Sequence, residues 1–194
     1  MLTYQAVVIG ASAGGVYTLR TILSSLPADF SVPIIIVCHL PSDESKNLLP
    51  EILNNDCSLI VKEAVEREKI KKGHVYVAPP SYHLLLEKDL TLSFSVDLKV
   101  SHCRPAIDVL FKTAADALGK ELLGVILTGA NADGAEGSLC IKDFGGKIVV
   151  QDPNDAKIST MPRSAINTLK KNGYAVDYLE TAENIASRLL FLAS

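Results

Sequence analysis

The sequence lacks what would place it in a membrane, in an oxidising compartment or on nucleic acid. No apolar run approaches the ~18 residues needed to span a bilayer. The N-terminus carries no basic region followed by an apolar signal segment and a cleavage site. Cysteine is sparse: Cys38, Cys57, Cys103 and Cys140 are scattered, with no Cys-x-x-Cys pair. A chain of 194 residues with this much apolar content needs no disulfide frame. Charge of one sign is absent as well, with a formal net charge of −3 and a pI of about 5.8. Such a chain has no general field favouring nucleic acid or an anionic membrane. His74, His83 and His102 show no metal-ligand spacing with nearby cysteines or acids. These absences predict a soluble, cytoplasmic protein with no metal, no cofactor, no nucleic-acid partner and no membrane insertion.

The chain does have a core. Hydrophobic residues make up 48% and charged residues 21%, which excludes disorder and fits one domain. Neither an internal repeat nor a linker interrupts it. Short β-branched runs alternate with segments of helical period. Val7–Ile9 is followed by Val16, Leu19, Ile22, Leu23 and Leu26 at helical spacing. The run 32–38 precedes Leu48, Leu49, Ile52 and Leu53. Pro105 begins a helix with Ile107, Leu110, Phe111, Ala114 and Leu118 on one face. Strands are expected at 122–127, 147–150 and 174–179. Helices are expected at 138–144, from Pro162 to near Gly173, and at 183–192. Runs at 75–78, 83–87 and 90–95 suggest an antiparallel hairpin inserted in, or added to, the parallel strands. The expected fold is α/β: a doubly wound, mainly parallel sheet with an antiparallel hairpin and helices on both faces.

In such sheets, sites form beyond the carboxyl ends of the strands. Three loops there carry candidate chemistry. The first, Gly10-Ala11-Ser12-Ala13-Gly14-Gly15, has two readings. A dinucleotide loop needs a glycine where Ser12 stands; the G-x-S-x-G nucleophile turn needs the serine. Read alone, the loop favours Ser12 as only a small turn residue. The second loop begins at His39, at the end of the second parallel strand, where Pro41 ends pairing. A histidine there suits a base better than a ribose ligand. The third, Leu127-Thr128-Gly129-Ala130-Asn131-Ala132-Asp133-Gly134-Ala135, offers Asp133 as a carboxylate behind the histidine. Asp-Gly is also a common turn pair. The coincidence of position favours a serine hydrolase with Ser12 as nucleophile, His39 as base and Asp133 as orienting acid. Cys38 neighbours His39 but points to the opposite face of its strand, so it reads as core, as do Cys57 and Cys140. A nucleophilic Cys103 is a remote option.

With these three motifs in view, the chain resembles the catalytic domain of the CheB-type protein-glutamate methylesterases. The likeness extends to Gly73-His74-Val75-Tyr76-Val77-Ala78-Pro79, to Arg104-Pro105 through Asp108-Val109-Leu110-Phe111, and to Met161-Pro162-Arg163 with Ala165-Ile166. The resemblance implies an acyl-enzyme hydrolase cleaving γ-glutamyl methyl esters on the cytoplasmic helices of methyl-accepting chemoreceptors, with glutamine deamidation as a second activity. It implies Ser12, His39 and Asp133 as the triad, and Ala13 and Ala130 as the oxyanion positions. Arg104 and Arg163 are candidates for steering an acidic receptor segment. The chain departs from the family at three points. It starts at the first catalytic strand, so a single catalytic domain without a receiver domain is expected. Ala13 stands where threonine is common, and Ala130-Asn131 replaces a Met-Gly pair. Backbone donors survive such changes. A nucleotide-binding domain of flavodoxin or Rossmann type, and a receptor-docking module without catalysis, are the alternative readings.

Overall fold

The computed structural model describes residues 4–39 and 48–193. Leu40 and Pro41, read above as the exit from the second strand, lie outside the described residues.

Among the described residues, seven strands form one parallel sheet. They are β1 (Ala6–Ala11), β2 (Ile34–Cys38), β3 (Ile60–Glu63), β4 (His74–Val77), β7 (Leu122–Ile126), β8 (Lys147–Gln151) and β9 (Tyr178–Glu180), in the order β3-β4-β2-β1-β7-β8-β9. A separate antiparallel hairpin, β5 (His83–Leu86) with β6 (Leu92–Ser95), lies on one face. The run at 75–78 therefore belongs to the parallel sheet as β4, and only the next two runs make the hairpin. The strand β3 was not expected from the sequence. It is a four-residue edge strand with only Val61 buried, so no continuous apolar run marks it.

Alternation along the central strands divides the core in two. Val7, Ile9, Ala11, Ile34, Ile36 and Cys38 face one layer of helices. That layer holds α1 (Gly15–Ser24), α2 (Leu49–Asn54) and α6 (Ala182–Ala193). Ala6, Val8, Ile35 and Val37 face the other layer, with α3 (Ile107–Leu118), α4 (Ala135–Asp143), α5 (Thr160–Lys171) and the hairpin. Each helix buries one apolar stripe, as Ile107, Leu110, Phe111, Ala114 and Leu118 do in α3. Cys38 is core, and burial pushes its thiol up to about 12. Cys57 and Cys140 are only partly buried, a correction to their reading as core. Both pack at the edge of their clusters rather than inside.

The chain runs from β1 outward to β2 on one side, then returns to β7 on the other. The loops after β1 and β7 thus flank the point where strand order reverses, the place where parallel sheets open a crevice.

Candidate active site

The loop after β1 is held from both sides. The Ser12 N–H donates to the Thr128 carbonyl (3.0 Å), extending the β1–β7 pairing past the strand ends. Across the other edge, the His39 N–H donates to the Ala11 carbonyl (3.0 Å). Since Ala11 pairs with Cys38, Ser12 and His39 are the next residues on adjacent strands. Ser12 opens a tight turn closed by the Gly15 N–H on its carbonyl (2.7 Å). Gly14 has φ 85° and ψ −7°, as the third residue of a type II turn requires, and starts α1. Among the described residues, the Ser12 hydroxyl has no hydrogen-bond partner, and neither have the N–H groups of Ala13 and Ala130. Unpaired donors beside a serine are what an oxyanion needs.

Thr128 fastens this loop to the rest of the rim. Its hydroxyl donates to the Ala13 carbonyl (2.9 Å) and accepts from the Ile158 N–H (2.9 Å). Its own N–H donates to Gln151 Oε1 (2.9 Å). At Gly129 a side chain is excluded, because a Cβ would come within 2.5 Å of Met161 Cε and 2.9 Å of Ser12 Cβ.

Asp133 is fully buried. Its carboxylate accepts the N–H groups of Ile107 (2.7 Å) and Asp108 (2.9 Å), the first turn of α3, whose own preceding residue Ala106 offers no side-chain cap. The helix N-terminus gives the anion both donors and a favourable dipole. Asp108 returns the favour at α4: its Oδ1 accepts from Gly134 (2.9 Å) and Gly137 (2.7 Å). Burial, with the charge of Asp133 adding to it, raises the Asp108 carboxyl above its ordinary range despite these donors.

The remaining lone pairs of Asp133 meet His39. Nε2 lies 2.9 Å from Oδ2, in a bent contact that is nearer an ion-pair contact than a straight hydrogen bond. A carboxylate can only accept, so this contact favours the tautomer with the proton on Nε2, which leaves Nδ1 its lone pair. The surroundings of Nδ1 agree. Asn131 Nδ2 lies 3.4 Å away, its amide oriented by Oδ1 accepting the Asp133 N–H (3.2 Å). Cys103 Sγ lies 3.8 Å from Nδ1.

Sequence reasoning missed Asp108, Asn131 and Cys103 in these positions. Asp108 and Asp133 are 25 residues apart, and Cys103 is 64 residues from His39. Short-range spacing carries nothing of either contact. Burial, then the charge of Asp133, raise the Cys103 thiol above its ordinary value, which disfavours the thiolate a cysteine nucleophile needs. Arg104, a candidate for steering an acidic segment, lies in the loop before α3. Its guanidinium donates to the carbonyls of Val96 (2.7 Å) and Asp97 (3.0 Å), holding the loop before it. Arg163 is exposed and donates from Nε to Ser159 Oγ (3.1 Å). No described helix is long and apolar enough to cross a membrane.

Comparison with known proteins shows the family of the chain. The family described as CheB methylesterase matches residues 7–189. A protein of Leptospira interrogans serogroup Icterohaemorrhagiae serovar copenhageni, provisionally named protein-glutamate methylesterase/protein-glutamine glutaminase, is 50% identical over 191 residues, covering 98% of this chain and 96% of that one. The protein-glutamate methylesterase/protein-glutamine glutaminase of Thermotoga maritima is 36% identical over 191 residues, covering 97% of this chain but 54% of that one. The crystal structure of the Thermotoga maritima CheB methylesterase catalytic domain superposes with a TM-score of 0.89 at 35% identity, covering 98% of this chain and 99% of that one.

Proposed function

Because the chain belongs to the CheB methylesterase family, we propose that it hydrolyses γ-glutamyl methyl esters on a protein substrate, with Ser12 as nucleophile, His39 as base and Asp133 as its orienting carboxylate. The observation that carries this reading is the Asp133 carboxylate, fixed by two helix N–H groups and 2.9 Å from His39 Nε2. The contact favours the tautomer that leaves Nδ1 unprotonated, which supports Nδ1 as the base.

In this mechanism Ser12 Oγ attacks the ester carbonyl as its proton passes to His39 Nδ1. Asp133 stabilises the imidazolium so formed. The N–H groups of Ala13 and Ala130 take the oxyanion, commonly the largest single contribution to such a reaction. The imidazolium returns its proton to the departing methoxide, and methanol leaves. Water, activated by the same Nδ1, then hydrolyses the acyl-serine to glutamate. A glutamine side chain follows the same course with ammonia as leaving group, the glutaminase activity named for the relatives.

The substrate we infer is the cytoplasmic helical region of a chemoreceptor, in a chemotaxis signalling role for which residues 1–194 act as one catalytic unit. Arg104, whose guanidinium is partly occupied by loop carbonyls, contributes by shaping the loop beside His39 and by its charge toward an acidic segment. The test is methanol release from a methylated receptor fragment. Wild type releases methanol, and Ser12→Ala lowers the rate on the order of 10⁴-fold or more. Release that continues unchanged in Ser12→Ala overturns the assignment.

A further inference from the structure

Beside the triad residues, His39 meets a second type of side chain. His39, Cys103 and Asp133 place one potential metal-ligand atom each within 4.8 Å of one another. We propose that His39 Nδ1 and Cys103 Sγ bind a soft divalent cation of the Zn²⁺ type, and that this cation is a reversible inhibitor of the site.

The geometry suits that ion. A tetrahedral Zn²⁺ at ~2.0–2.1 Å from nitrogen and ~2.3 Å from sulfur holds those two atoms about 3.6 Å apart. Nδ1 and Sγ stand 3.8 Å apart. The Asp133 contact favours the tautomer such a ligand needs, with the proton on Nε2 and Nδ1 unprotonated. A carboxylate behind a ligating histidine is the arrangement that orients and strengthens such ligands. Asn131 Nδ2 marks where the two acceptors converge, 3.4 Å from Nδ1 and 3.5 Å from Sγ. The ion takes the place of that donor once the Asn131 side chain turns outward. The His39 side chain is 13% exposed and Cys103 is half-buried, so a hydrated ion reaches both. On binding, the Cys103 S–H proton goes to solvent, the thiolate and the Nδ1 lone pair fill two positions, and water fills the rest.

The inhibitory consequence rests on the proposed function, because an ion on Nδ1 occupies the lone pair that would accept the Ser12 proton. Binding itself does not, and the test keeps the two apart. Purified full-length chain is titrated with CoCl₂ alone and with ZnCl₂ alone. Wild type develops a thiolate-to-cobalt charge-transfer band in the near ultraviolet, which one equivalent of Zn²⁺ removes. Cys103→Ala and the near-isosteric Cys103→Ser lose the band and bind Zn²⁺ more than about tenfold more weakly. Asn131→Ala, which deletes the competing donor, binds Zn²⁺ at least as tightly as wild type. A missing band in wild type, or a band unchanged in both Cys103 variants, overturns the site. For the inhibition, Zn²⁺ stops methanol release by wild type at concentrations that leave Cys103→Ser at its own metal-free rate. Equal inhibition of both overturns the inhibitory role. Cobalt binding in a protein that releases no methanol leaves the cation site standing and defeats the esterase reading instead.

Discussion

The two loops that flank the reversal of strand order enter their helices by the same turn and use it for opposite ends. After β1, the turn Ser12–Gly15 closes through the Gly15 N–H, with Gly14 at φ 85°. After β7, the turn Ala132–Ala135 closes through the Ala135 N–H (3.1 Å), with Gly134 at φ 94°. The first turn leaves its Ser12 hydroxyl without a partner among the described residues. The second buries its Asp133 carboxylate under two backbone donors and His39. The proposed roles match this contrast: a nucleophile must be free to react, whereas the group behind the base must not move. One backbone geometry serves both because the functional side chain stands at the first position of one turn and the second position of the other.

The largest test of that contrast removes the charge from the fixed side. Asp133→Asn keeps the shape but offers His39 an amide donor, which favours the wrong tautomer, so kcat should fall about 10⁴-fold. The same change weakens the α3 cap, so unfolding should cost about 1–2 kcal/mol less. Steady-state methanol release and denaturant melts read the two effects separately.

A smaller effect comes from displacing the free side. Gly129→Ala drives a methyl group against Ser12 Cβ and Met161 Cε. A shift of about 1 Å at a reacting atom costs on the order of 10²-fold in rate. Serine labelling kinetics would show the loss, with the pattern of hydrogen exchange in the core unchanged. Thr128→Val leaves the Ala13 carbonyl and the Ile158 N–H without their shared hydroxyl, at a cost of about 1–3 kcal/mol of stability. Its thermal midpoint should fall accordingly.

The smallest expected change sharpens the comparison between the two carboxylates. Asp108 caps α4 as Asp133 caps α3, but both its N–H bonds fall on Oδ1. Asparagine can keep both, so Asp108→Asn should hold activity within a few-fold and stability within about 1 kcal/mol. The sign of the pH effect follows from burial. The folded-state pKa of Asp108 is raised above its ordinary 3.8. The stability tied to its protonated form is therefore full below 3.8 and lost as pH rises through the raised value. Relative to Asp108→Asn, wild type should lose stability across that interval, a trend that melting curves taken at stepwise higher pH would reveal. A pH-independent difference between the two proteins would show that Asp108 titrates alike when folded and unfolded.

Strand ends were legible in the sequence and side-chain partnerships mostly were not. Ser12, His39 and Asp133 could be placed together because a parallel α/β pattern puts every βα loop on one rim. The hairpin was legible only in part, since β4, β5 and β6 are all four residues long and their partners are not written locally. The edge strand β3, half-exposed and carrying Lys62 and Glu63, has no apolar run to announce it. Asp108 stood in the sequence only as part of the motif from Arg104 to Phe111, because its role at Gly134 and Gly137 needs α3 and α4 to be packed first. Cys103 was hidden for the same reason, since only the folded loop brings it to His39.

In the proposed function, Ser12 is an activated nucleophile whose base is His39. The most direct measurement is labelling by a serine-directed fluorophosphonate, with the modified residue mapped by peptide mass spectrometry in wild type, Ser12→Ala and His39→Ala. The account predicts modification of wild type at Ser12 and none in either variant. Label that maps elsewhere, or that persists in His39→Ala at the wild-type rate, would contradict it.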